Sequence, residues 1–201
     1  MVTIGITGPT GAGKTTALNE LEKLGGCIID ADAVYHQLLA SDIALRNELE
    51  NRFGPLTDEA GNFQRKKLGA VVFSDPEAMA DLNRITHRFI GTAIHRLLDK
   101  ARAQGRPAAA VDAIRLFESG LGADCDVTVA ITAPDEIRVR RIMQREGISG
   151  EYARARVAAQ QPNEYFIEKC DHALVNDCGS AEEFAARARA LFESILNRNP
   201  S

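Results

Sequence analysis

Five short runs of apolar residues, at positions 2–6, 27–29, 108–111, 127–131 and 173–175, punctuate the chain, and most of the stretches between them repeat apolar positions every three to four residues. Short continuous apolar runs suit strands buried on both faces, and helical stretches between them suit crossovers. The pattern therefore predicts an α/β protein built on a five-stranded parallel sheet. The spacing is uneven: nearly eighty residues separate the second run from the third, far more than one crossover needs. Within that interval residues 33–53, 78–85 and 89–103 have helical periodicity, and 54–62 carry Gly, Pro and Asp turn signals. A mostly helical insertion at 32–103 is expected, set into a core made of 1–31, 104–134 and 164–201. A second excursion, 135–163, is rich in arginine. Residues 180–197 read as a closing helix capped near Ser180, with Phe184, Ala188, Leu191 and Ile195 on its buried face. No internal repeat or low-complexity segment interrupts this plan.

The first apolar run leads into "GPTGAGKTT", which fits G-x-x-x-x-G-K-T from Gly8 to Thr15. Gly8, Gly11 and Gly13 permit positive φ and close backbone approach, so that successive N–H groups, including those around Ala12, point at phosphate oxygens. Lys14 adds a cation for the β- and γ-phosphates, and Thr15 offers a hydroxyl to Mg²⁺. Thr16 follows in the first turn of a helix whose positive end faces the anion. Strand, loop and helix occur in the order that phosphate binding requires. A nucleoside triphosphate is the expected ligand, with ATP and Mg²⁺ as the cofactors of an enzyme.

Composition narrows the partners. The 201 residues include 24 basic and 28 acidic side chains, a net charge of −4, which offers no general attraction for nucleic acid or an anionic membrane. No apolar run approaches the roughly 20 residues a membrane span needs, and no charged leader precedes the first run, so a cytoplasmic protein is expected. Cys27, Cys125, Cys170 and Cys178 lack C-x-x-C spacing and are expected as buried reduced thiols.

Ligands of open parallel sheets bind beyond the carboxyl ends of the strands. Asp30 and Asp32 follow the second run as "IIDAD", and Asp32 either orients a substrate hydroxyl or caps a helix beginning at Ala33. Asp112 ends the third run, the usual place for a carboxylate that assists magnesium, or a plain strand-ending aspartate. Arg138, Arg140, Arg141, Arg145, Arg154 and Arg156 either pair with Glu136, Glu146 and Glu151 on a solvated face or close over phosphates. Arg141 and Arg145, one turn apart, are the chosen phosphate ligands. A guanine-nucleotide switch is disfavoured, because Thr132-Ala133-Pro134-Asp135 stands where a guanine-reading lysine would be needed. Other nucleoside or nucleotide kinases, and a non-enzymatic nucleotide-binding module, stay open as alternatives.

Together with the loop, "IIDAD" at 28–32, "GNFQRKKLGAVVF" at 61–73, "LNRITH" at 82–87, "LFESGL" at 116–121 and "HALVND" before "CGS" resemble the dephospho-coenzyme A kinase family over nearly the whole chain. The resemblance implies a three-layer P-loop kinase fold. The insertion becomes the acceptor-binding domain and 135–163 a small arginine-bearing lid. It implies transfer of the γ-phosphate of ATP to the ribose 3′-hydroxyl of dephospho-coenzyme A, with Asp32 beside that hydroxyl. On the acceptor side it implies Asp32, His36, Arg65 and His87, with Asp112 and Glu118 nearby. Read without it, Arg65 is a surface charge beside Lys66 and Lys67, and His87 packs or caps a helix. The chain departs from the family pattern at Pro9, His36, Arg88 and Arg115, and no basic residue is evident within 162–166.

Overall fold

In a computed structural model that describes residues 1–198, all five strands form at the apolar runs: β1 (Val2–Thr7), β2 (Cys27–Asp30), β3 (Ala108–Asp112), β4 (Val127–Thr132) and β5 (His172–Val175). They make one sheet in the order β2-β3-β1-β4-β5, with parallel pairing at β3–β1, β1–β4 and β4–β5. Every residue of β1 and β4 is buried, which is why both read as unbroken apolar or threonine-bearing runs without a polar alternate. Carboxylates just before β4 and β5 tie neighbouring strands together at their N-terminal ends. Thr3 N–H donates to Asp126 Oδ2 at 2.7 Å, and Asp126 N–H donates back to Thr3 O at 2.9 Å. Thr128 donates both its N–H and its hydroxyl to Asp171 Oδ2, at 2.8 and 2.7 Å.

Two compact units divide the chain: Met1–Ile29 with Leu98–Ser201, and Asp30–Leu97. The first holds the sheet. Against it pack α1 (Lys14–Lys23) and α9 (Ala181–Arg198), whose buried Leu18, Leu21, Phe184 and Phe192 join Ile4, Ile6, Val129 and Ile131 in one core. Ser180 caps α9 by accepting from Glu183 N–H at 3.1 Å. Phe192 is fully buried and Leu191 only half-buried, a shift of one position from the expected apolar face. The same unit carries α6 (Asp135–Glu146), α7 (Gly150–Ala158) and α8 (Asn163–Lys169), and Val139, Ile142, Ala153 and Val157 form a small core between α6 and α7.

The second unit is helical, and its elements differ from the sequence expectation in three ways. The periodic stretch 33–53 is two helices, α2 (Ala31–Ser41) and α3 (Ile43–Phe53). Asp42 interrupts it with an extended backbone and caps α3 by accepting from Leu45 N–H at 2.9 Å. Residues 65–72 form α4 (Arg65–Val72), whose single turn pair of Leu68 and Val72 was too short a pattern to read. The stretches 78–85 and 89–103 are parts of one helix of 28 residues, α5 (Pro76–Ala103). Leu39, Leu45, Leu49, Leu56, Leu68, Val72 and Ile85 form the core of this unit. Arg46 fastens the end of α2, its Nε donating to Leu39 O at 2.7 Å and its guanidinium also reaching Ala40 O and Gly61 O.

All four cysteines are unpaired, and they are half-buried where full burial was expected. Burial pushes the Cys125 thiol up to about 12 and Cys170 to about 11, so both stay protonated near neutral pH. No helix of the described residues is long and apolar enough to cross a membrane.

The Thr128 hydroxyl and N–H hold the Asp171 carboxyl below the usual carboxylate range. A carboxyl with a lowered folded pKa stabilises the fold above its unfolded value, near 4, and the contribution disappears as pH falls through the folded value. Asp171→Asn should therefore lower stability by about 1 kcal/mol at pH 7, the low end for a bond to an exposed charged group. Urea unfolding at pH 7 and pH 3 should show the difference from the parent chain shrinking at the lower pH.

Candidate functional site

The site begins where β1 stops. Ile6 lies beside Asp112 in the β1–β3 register, and Ala113 N–H donates to Ile6 O at 3.0 Å, so the exit of β3 runs alongside the entry to the loop. Gly8 has φ 139°, and a Cβ placed on it would lie 1.9 Å from Ile131 O. The loop can turn there only because nothing but hydrogen separates it from β4. Gly13 has φ 105° and precedes α1, whose first turn has no acidic residue and no side-chain cap. Thr16 N–H is taken up by Gly13 O at 3.0 Å, and with no side chain over the end of the helix its dipole favours an anion in front of the turn.

The rest of the loop is held from behind. Arg141 of α6 donates to Gly11 O and Ala12 O, both at 3.3 Å, and to Asn176 Oδ1 at 3.1 Å. Asn176, 3% exposed just after β5, donates its Nδ2 to Ala12 O at 2.9 Å. Burial lowers the pKa of Arg141, but an arginine stays cationic at neutral pH. Lys14 Nζ donates to Gly8 O at 3.0 Å and so spans the loop from its own helix.

A cleft of about 300 Å³ opens in front of the loop, lined by Gly11, Ala12, Gly13, Lys14, Thr15, Asp112, Ile114, Arg141 and Arg145 among others. Sequence residues far apart thus meet in one place: the loop, the carboxylate that ends β3, and two arginines of α6. Arg145 also pairs with Glu146 at 2.6 Å. Thr16 continues α1, half-buried, beyond the residues that line the cleft. Glu118 does not line it either; its carboxylate accepts the Tyr165 hydroxyl, which Lys169 Nζ also approaches at 3.1 Å.

The remaining expected residues lie in the second unit. Asp30, not Asp32, caps α2, accepting from Ala33 N–H at 3.0 Å, because the helix begins at Ala31. Asp32 and His36 are exposed one turn apart on α2, and the His36 ring lies 5.8 Å from that of Tyr35. Arg65 begins α4 and lines a cleft of about 270 Å³ with Leu39, Arg46, Asn62 and Phe63; its charge tempers the upward push that burial gives the Tyr35 hydroxyl. His87 is half-buried on α5.

Three residues of the loop's support escaped sequence reasoning: Arg138, Gln160 and Asn176. Arg138 is 1% exposed and pairs at 2.8 Å with Asp135, which is itself exposed, so this arginine is not part of a solvated face. A signal existed, since Arg138, Arg141 and Arg145 share one helical stripe with spacings of three and four. Gln160 and Asn176 carried no such signal.

Because a Cβ on Gly13 would sit 2.3 Å from Asn176 Nδ2 at a φ that side chains resist, Gly13→Ala should cost about 2–4 kcal/mol from backbone strain and the displaced hydrogen bond. Chemical denaturation checks the stability, and equilibrium titration with ATP should show binding lost in the protein that remains folded.

The dephospho-CoA kinase family profile matches residues 2–182. The dephospho-CoA kinase of Corynebacterium diphtheriae is 35% identical over 196 residues, covering 97% of this chain and 98% of that protein. That of Dehalococcoides mccartyi is 36% identical, covering 89% and 90%. Among solved structures, the dephospho-CoA kinase from Campylobacter jejuni superposes with a TM-score of 0.72 at 28% identity, covering 98% of each chain. A shikimate kinase from Bacteroides thetaiotaomicron, at 18% identity and TM-score 0.51, shares the fold. A phosphate loop backed by helix-borne arginines, on a chain that matches the family over residues 2–182, places this protein in the dephospho-CoA kinase family.

Proposed function

We propose that the chain transfers the γ-phosphate of ATP to the ribose 3′-hydroxyl of dephospho-coenzyme A, giving coenzyme A and ADP, in the cytoplasm. The observation that carries the reading is the single cleft on which the glycine loop, Lys14, Thr15, Asp112, Arg141 and Arg145 converge. Phosphoryl transfer asks little covalent chemistry of a protein. It asks for positioning of the acceptor and for fixed positive charge where negative charge spreads over the transferred group. Gly8, Gly11, Ala12 and Gly13 shape the cradle, and Lys14 and Thr16 with the first turn of α1 complete it around the phosphates. Arg141 and Arg145 face the same charge from α6.

The donor set fits magnesium, since the Thr15 hydroxyl and the Asp112 carboxylate are hard oxygen ligands on one cleft and leave the other positions to phosphates and water. A magnesium ion held by these residues would supply charge neutralisation for the phosphates during transfer. On the acceptor side, Asp32 accepts or orients the hydroxyl proton. Its support is that Asp30 performs the capping of α2, so the exposed Asp32 carboxylate is not needed as the cap. His36, Arg65 and His87 contact the acceptor, and Glu118 acts from the turn after β3. Residues 32–103 serve as the acceptor domain and 135–163 as the lid.

Lys14→Ala is expected to lose several powers of ten in turnover while keeping the melting temperature within a few degrees, because an interaction worth about 3–5 kcal/mol in the transition state is removed from a cleft and not from the core. Wild-type kinetics in that variant would end the loop assignment. Asp32→Asn should bind ATP normally and turn over at least ~100-fold more slowly. Mass spectrometry of the product, with NMR to locate the phosphate, decides the substrate: phosphate on AMP, on a nucleoside or at another ribose position rejects it.

A further inference from the structure

Thr10 is the one loop residue whose N–H, carbonyl and hydroxyl are all engaged by side chains. Its N–H donates to Gln160 Oε1 at 3.0 Å, its carbonyl accepts from Arg138 Nε at 3.1 Å, and its hydroxyl accepts from Gln160 Nε2 at 2.8 Å. Arg138 Nη2 donates to the same Gln160 Oε1 at 2.7 Å, and Arg138 Nη1 to Asp135 at 2.8 Å. The amide can sit only one way round. Turned over, its NH₂ would meet a backbone N–H and a guanidinium, three donors with nothing to accept.

The positions of these two side chains give the contacts their meaning. Arg138 lies in the first turn of α6, and Gln160 follows the end of α7. Both ends of the helical pair that carries Arg141 and Arg145 are thus pinned to one residue of the phosphate loop. A guanidinium that is 1% exposed is an expensive thing to bury, and it is tolerated when its donors are satisfied. Here they are satisfied by the loop, by the glutamine that holds the loop and by the Asp135 carboxylate.

We infer that Gln160 is a positioning residue for the kinase reaction: with Arg138 it locks Thr10, and so sets the shape of the phosphate loop and its registration with the arginine-bearing helices. The inference rests on the reading of that loop as the ATP site. Since Thr10 spends its N–H on Gln160, phosphate falls to the donors from Gly11 onward. Loss of the lock lets the loop reach shapes that ATP must reverse on binding, and the affinity drops by the fraction of time the correct shape is lost.

The test uses the full chain with Gln160→Leu, Gln160→Glu, Thr10→Val and the double variant Gln160→Leu/Thr10→Val, measuring ATP affinity by equilibrium titration, steady-state kinetics and melting temperature. Gln160→Leu should bind ATP about 10-fold more weakly, the order expected when a partly buried backbone N–H loses its acceptor. Gln160→Glu should recover most of that, because a carboxylate accepts from Thr10 N–H and from Arg138, and the Thr10 hydroxyl can reverse and donate to it. The double variant should bind no worse than Gln160→Leu alone, since that change already removes the partner of the Thr10 hydroxyl. A residue that merely props the fold would lower the melting temperature and leave the affinity of the folded protein unchanged. That result, or additive effects in the double variant, overturns the inference. Should Gln160→Leu fail to fold, Thr10→Val decides alone, and parent-like affinity there overturns it. Lys14→Ala, run alongside, separates the two failures: if it turns over like the parent chain, the reading of the loop has failed and the inference falls with it.

Discussion

A loop that turns its N–H groups inward toward an anion must turn carbonyls outward, and in a protein interior each of those carbonyls needs a donor. That requirement organises the first unit of this structure. Arg141 and Asn176 serve Gly11 and Ala12, Arg138 serves Thr10, and Lys14 reaches Gly8 from the helix that the loop introduces. The donors come from α6 and from the residue after β5, so the helices beyond β4 and the far edge of the sheet are fixed with respect to the loop by the same bonds. Geometry in front of the loop is therefore a product of chemistry behind it.

The arginines of α6 show how the two faces divide the work. Arg138 is almost wholly buried and faces the back of the loop, Arg141 is half-buried with bonds to loop carbonyls while lining the cleft, and Arg145 is exposed and lines the cleft with a partner in Glu146. One helical stripe thus passes from structural to functional over less than three turns. Guanidinium suits this gradation, because its planar array of donors can serve backbone oxygens on one edge and leave the other edge for a ligand.

Much of this was legible in the sequence. The inner strands were readable because a strand buried on both faces has no charged alternate, as Val2–Thr7 and Val127–Thr132 illustrate, and the half-exposed edge strands β2 and β5 showed only as shorter apolar runs. The loop was readable because few sequences satisfy its glycine positions, its lysine and its hydroxyl together. The helices of the second unit were less so. Asp42 looked like an ordinary polar residue in a helical run and is in fact the break between α2 and α3, since a carboxylate that can cap also fits mid-helix in a pattern count. Arg138 was read only as one of a cluster, and Gln160 and Asn176 were missed, because the contacts that tie all three to the loop are to Thr10 and Ala12, more than a hundred residues away. A side chain that answers a carbonyl leaves no complementary residue type to find.

Gly13 and Asn176 make one consequence concrete. The space that a methyl group would need at Gly13 is already filled by the Asn176 amide, and that amide in turn answers Ala12. The familiar eight-residue motif is thus not a portable module: transplanted into another scaffold without the end of β5 and the face of α6, it would keep its letters and lose the scaffolding that gives them a shape. Descent should treat the same atoms as one unit, with changes at 13 and 176 tolerated only in step.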